Sequence, residues 1–159
     1  MPQDNLHRMV RLAEEFFDTK GDPEQLSVTE EVMEKLRSLH PASMGEETDG
    51  NGPIAWMLVI PTTHDLMGQF LEKEINEREL LDRTPVGGTY DAIYLCSALV
   101  LPEFRGRGLA RRLVTRAIRS ICEEHPIRDL FVWTFSVEGK KLARSVALEF
   151  NLPLHERAP

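Results

Sequence analysis

From residue 93 to residue 101 the chain is apolar almost without a break, and its β-branched and aromatic members predict a central strand covered on both faces. Pro102 cannot donate to a ladder and marks the end of that strand. Past Gly106 and Gly108 the period changes. Apolar side chains then recur at 109, 110, 113, 114, 117, 118, 121 and 122, which is one stripe of a helix. The same reading predicts buried strands at residues 54–60, ended by Pro61, and at residues 130–135. A strand–helix–strand unit of this length implies a right-handed parallel crossover whose strands diverge at their carboxyl ends, leaving a crevice for a ligand.

Helical spacing elsewhere completes the pattern. Leu6, Met9, Val10, Ala13, Phe16 and Phe17 give a first amphipathic helix, stopped by Lys20-Gly21-Asp22-Pro23. Ser27-Val28-Thr29-Glu30 has the spacing of a capping box at a second helix carrying Val28, Val32, Met33, Leu36 and Leu39. Residues 41–53 have no periodicity and predict a Gly/Pro/acidic loop, placed where a lid would sit. Leu66, Met67, Phe70, Leu71 and Ile75 predict one helix from Thr62-Thr63-His64-Asp65 to about Leu81, with Glu72, Lys73, Glu74, Glu77, Arg78 and Glu79 on its polar face. Residues 84–89 form a turn. After residue 135, Ser136 is placed to cap a last helix that turns Leu142, Ala143, Val146, Ala147 and Phe150 inward.

Charge changes this picture at one place. The chain carries a net charge of −7, which argues against general nucleic-acid binding, yet six arginines (105, 107, 111, 112, 116 and 119) fall between Phe104 and Cys122 with no acidic residue among them. The first amides of the helix beyond Gly108 lack internal partners, and the helix dipole adds partial positive charge there. Glycines would let a phosphate approach that backbone directly. This island is the expected site of an anionic ligand; an ordinary strand–turn–helix unit with a solvated arginine face is the plainer alternative.

The remaining composition mostly excludes. A length of 159 residues predicts one domain. No apolar run approaches the roughly 20 residues of a membrane helix, and the N-terminal residues lack a signal-peptide pattern, so the expectation is a cytoplasmic protein without a membrane partner. Cys96 and Cys122 have neither zinc nor CxxC spacing and sit on apolar patterns, and the five histidines are scattered, so no metal is implied.

Arg105-Gly106-Arg107-Gly108-Leu109-Ala110 resembles the Arg/Gln-x-x-Gly-x-Gly/Ala signature of the GNAT superfamily of acyl-CoA-dependent N-acetyltransferases. The preceding Leu99-Val100-Leu101-Pro102-Glu103-Phe104 is similar to that family's strand end. The resemblance implies an α/β fold with a GNAT-like mixed sheet flanked by helices. Here that sheet would be abbreviated at its N- and C-terminal strands, with an extra helix before the central strand. It implies acetyl-CoA, or another acyl-CoA, as co-substrate. Amides from Arg105 to Ala110 would hold the pyrophosphate, and the backbone of Leu99, Val100 and Leu101 the pantetheine arm and thioester. The acceptor would be a small-molecule or protein amine.

The catalytic side chains follow the family less closely. Acyl transfer to an amine needs a base for the amine, donors for the oxyanion and a proton for the leaving thiolate. The family's frequent strand glutamate aligns with Tyr94, its last-helix asparagine with Lys140, its acidic tyrosine with Ala147 and its Gly-Phe ending with Asn151-Leu152. Tyr94 is therefore the candidate to contact substrate or donate a proton, set against a plain packing role. Asp91 and Glu103 are candidate proton acceptors or solvated carboxylates, and Ser136 caps a helix or orients substrate. Two other readings stay open: a non-catalytic CoA-binding or interaction module, and a domain whose exposed sheet edge pairs with a second copy as a homodimer.

Overall fold

The structure, a computed structural model, describes residues 4–19, 29–133 and 136–158, with the side chains of residues 16–19 left aside. In chain order the elements are α1 (Asn5–Thr19), α2 (Glu30–Leu39), β1 (Met44–Asp49), β2 (Gly52–Thr62), α3 (His64–Leu71), α4 (Glu77–Arg83), β3 (Ala92–Val100), α5 (Leu109–Glu124), β4 (Asp129–Val132), α6 (Val137–Phe150) and β5 (Leu154–Glu156). The five strands form one mixed sheet in sequential order. β1, β2 and β3 pair antiparallel, whereas β3–β4 and β4–β5 pair parallel.

Two apolar clusters cover the sheet. One joins Met9 and Ala13 of α1 to the inward stripe of α5 and to Val146 and Ala147 of α6. The other gathers α2, α3 and α4 around Phe70, Tyr94 and Phe131. On β3 the alternation is direct: Ile93 enters the first cluster, Ala92 and Tyr94 the second. α5 is firmly anchored, because Leu109, Leu113, Val114, Ala117, Ile118 and Ile121 are all buried. A fully buried Leu or Ile of this kind contributes about 1.5–3 kcal/mol.

The structure departs from the sequence expectations where backbone pairing outweighs side-chain pattern. Residues 41–53 are not a loop: a 3-10 turn at Pro41–Ser43 leads into β1, which pairs with β2 from Met44↔Leu58 to Asp49↔Gly52. Edge strand β1 is mostly polar and partly exposed, so it carries no alternating apolar signal; its ladder to β2 forms it. β2 runs through Pro61 to Thr62. Pro61 lies beyond the last β1 pair, where β2 has a neighbour on one side only, a position a sheet allows to proline.

The single helix expected to reach Leu81 is two. α3 ends at Leu71, Lys73 turns with φ +64°, and Asn76 starts α4 with a capping box to Glu79. This break rotates Glu77 off the solvent face, where the sequence pattern put it, to full burial. Thr29 caps α2 through Val32 N–H, while Ser27, Val28 and the end of the expected third strand, Thr134 and Phe135, lie outside the described residues. Of the described α1 side chains Asn5, Met9 and Ala13 are buried, with Leu6 and Val10 exposed. Ser136 caps α6 through Gly139 N–H, and the three-residue β5 is the short C-terminal strand. Among the described residues no helix is long and apolar enough to cross a membrane.

Candidate functional site

Among the described residues β3 and β4 pair from Ala92↔Asp129 to Leu95↔Val132, while β3 continues to Val100. A cleft of about 950 Å³ opens between residues 95–100 on one wall and Val132, Trp133 and the first turns of α6 on the other, with Phe104, Arg105, Gly106 and the start of α5 at one end. On its far side β3 remains bonded to β2, with one irregularity: Leu58 faces Ser97 and Val59 faces Leu95, so Cys96 is the extra residue of a bulge. The cleft therefore has one wall that β2 holds in place.

The turn at its end is built by local chemistry. Pro102–Phe104 forms a 3-10 turn, and Arg105 Nε donates back to the Val100 carbonyl at 3.0 Å. Gly106 and Gly108 have φ of +81° and +75°, the left-handed region that glycine enters without a Cβ penalty. An added Cβ at either would meet no heavy atom within 4 Å, so open space lies beside both. Gly108 caps α5 without a side-chain bond, and the first helical bond runs from Arg112 N–H to the Gly108 carbonyl. The amides of residues 109–111 precede that bond, and all three residues line the cleft. A free helix start, two open glycines and Arg105 fit a diphosphate, so the residues present suit the polar end of CoA.

The arginine island is narrower than the sequence implied. Arg111 and Arg119 both reach Glu149, at 3.0 and 3.8 Å, and Arg116 reaches Glu47 at 3.2 Å. Arg107 lies 5.3 Å over the Phe104 ring and is not on the cleft wall. Leu99 and Val100 line the cleft; Leu101 does not, being 1% exposed with its amide donated to Ile54.

The candidate catalytic residues are placed elsewhere. Tyr94 is fully buried on the α4 side, outside the cleft wall, and its hydroxyl donates to Glu77 Oε2 at 2.7 Å. Burial, and then the Glu77 charge, hold its pKa well above the usual phenol value. Glu103 binds Arg8 at 2.6 Å, and that hydrogen bond holds its carboxyl below the ordinary range. Asp91 accepts the His64 N–H at 2.6 Å, fixing the start of α3. Ser136 does line the cleft, while also capping α6. Lys140 pairs with Glu156 at 3.9 Å, and Ala147 is core.

Two features went unread in the sequence. Cys96 lines the cleft with its thiol 3.6 Å from Glu77 Oε2; a buried glutamate in an acidic stretch gives no pattern of its own. A second pocket, about 340 Å³, lies between α2 and the β1–β2 hairpin and shares Leu58, Ser97 and Leu99 with the cleft.

His40, Glu124 and His125 also come together, their ligand atoms within 4.8 Å. However, His40 Nδ1 accepts the Ala42 N–H and His125 Nδ1 the Tyr90 N–H. A neutral ring bonded this way carries its proton on Nε2, which leaves no lone pair for a cation. His40 Nε2 instead faces Glu124 at 3.2 Å.

A family model described as the acetyltransferase (GNAT) family matches residues 7–139. No curated protein matches the chain.

Proposed function

The chain belongs to the GNAT acetyltransferase family, whose domain supports acyl transfer in general, and on that footing we propose that it moves an acetyl or other acyl group from acyl-CoA to an amine. One observation carries this reading: the carboxyl end of β3 and the open start of α5 border the same cleft. The pyrophosphate lies against the amides that follow Gly106 and Gly108, and the pantetheine arm runs along Leu99 and Val100.

The wall at residues 96–100 presents its backbone to the acyl end. The amine nitrogen attacks the acyl carbon, a C–N bond forms, the C–S bond breaks, and the electron pair leaves on the CoA sulfur. The proton lost by the amine ends on that sulfur. Gly106 and Gly108 hold the turn open for the diphosphate, and Arg105 locks the turn to the strand end through Val100.

A second reading, a CoA-binding module without turnover, is favoured by one fact. Both tyrosines are buried, Tyr90 at 1% and Tyr94 at 0% exposure, so neither supplies a phenol to the cleft wall. Release of free CoA thiol from acetyl-CoA across a panel of amines tests the two. Amine-dependent release supports transfer; saturable acetyl-CoA binding with no release under any amine supports the module.

A further inference from the structure

We propose that the acceptor is a primary amine carried on a hydrocarbon body, held in the pocket between α2 and the β1–β2 hairpin; this rests on the acyl transfer proposed for the adjoining cleft. The pocket's volume of about 340 Å³ has room for about ten non-hydrogen atoms at about 30 Å³ each. Its deep wall is Val32, Leu36 and Met57, none more than 2% exposed. Arg37 and Glu46, the two charged residues among those described that line it, are both exposed and stand at its mouth. Glu46 is already committed by one oxygen to Trp56 Nε1, at 2.9 Å.

Such walls discriminate by chemistry. A polyamine would bring several ammonium groups against apolar surface with Glu46 as the one carboxylate among the described lining residues, which costs more than it returns. A hydrocarbon body instead gains about 25 cal/mol per Å² of apolar surface it buries. The same surroundings favour the neutral form of the amine, the form that attacks, and so supply by desolvation part of what a general base would. Met33, Met44 and Met57 give the pocket adaptable sides, so acceptors of different apolar shape fit. The pocket shares Leu58, Ser97 and Leu99 with the cleft as lining, beside the Cys96 bulge, and its Arg37 and Glu46 are exposed. An amine can enter there while acyl-CoA fills the cleft.

The test uses the full chain with 2-phenylethylamine, hexylamine and spermidine as acceptors of acetyl-CoA, and two partly exposed pocket positions as variants, Met33→Trp and Met44→Trp. Expected is kcat/KM at least tenfold higher for the two apolar amines than for spermidine. In whichever variant keeps its thermal transition, KM for 2-phenylethylamine rises at least tenfold while acetyl-CoA affinity stays within twofold. Preference for spermidine, or an unchanged KM in both folded variants, overturns the proposal. So does tighter binding of hexanoyl-CoA than acetyl-CoA that Met33→Trp removes, since the pocket would then hold an acyl chain. Calorimetric titration of 2-phenylethylamine without CoA separates the two readings. Amine binding without acetyl-CoA binding sinks the transferase reading and leaves the pocket an amine site with no transfer; acetyl-CoA binding without amine binding sinks this proposal alone.

Discussion

The Tyr94 hydroxyl donates to Glu77 Oε2 at 2.7 Å across a junction where neither side chain is exposed at all. Cys96 Sγ lies 3.6 Å from the same oxygen, and Phe70 packs on the Tyr94 ring at 4.9 Å. The Arg157 guanidinium sits 4.5 Å over both Phe70 and Trp133. These contacts tie α4 and the C-terminal strand to the wall of the cleft. The pair thus belongs to the support of the site and not to its surface.

Tyr94→Phe is therefore expected to cost stability and spare binding. The buried carboxylate loses a donor, a change of about 1–3 kcal/mol. Denaturant unfolding with a parallel acetyl-CoA titration checks this. A variant of unchanged stability whose turnover collapses would return Tyr94 to the chemistry.

The same tyrosine gives the fold an alkaline limit. Burial, and then Glu77, raise its pKa in the folded state, whereas in the unfolded chain it titrates near the ordinary 10.0. Its contribution is complete below about pH 10 and declines above, because the unfolded chain ionises first. Tyr90, raised by burial, adds to the trend. Urea unfolding from pH 8 to 11 should show stability falling above about 10, less steeply in Tyr94→Phe. Phenolate absorbance that rises while the chain is still folded would contradict this.

Arg105 acts on both parts of the turn. Removing it in Arg105→Ala frees the Val100 carbonyl, loosens the strand end and withdraws a cation from the cleft. A charge-assisted bond is worth about 1.5–3 kcal/mol, so acetyl-CoA affinity should fall roughly tenfold or more. The loss should shrink at high ionic strength, since Arg105 is exposed. Titrations of wild type and variant at low and high salt measure both effects.

Much of this site was legible because its signal is local. The run at residues 93–101, the two glycines and the stripe of α5 each fix backbone within a few residues, and the structure keeps all three. What stayed hidden depends on partners distant in sequence. β1 is a strand because β2 pairs with it, and its own residues are too polar to say so. Arg111, Arg116 and Arg119 read as free cations until Glu149 and Glu47 are brought beside them. Glu77 reads as surface if residues 66–81 are one continuous helix; the turn at Lys73 breaks it, and the capping-box spacing of Asn76 and Glu79 is the local signal for that break. Tyr94 could be placed on a strand from its neighbours, but which cluster it would join follows from the sheet's packing.

The sharpest test lies at Gly108. At φ +75° any replacement is strained, so the comparison is between Gly108→Glu and Gly108→Lys, which share that strain and differ in charge. Calorimetric titration of acetyl-CoA should give saturable binding to wild type, weakened binding to Gly108→Lys and none detectable to Gly108→Glu, with both variants folded. Equal affinity for the two variants, or a wild type that binds no acetyl-CoA, would contradict a diphosphate held at the start of α5.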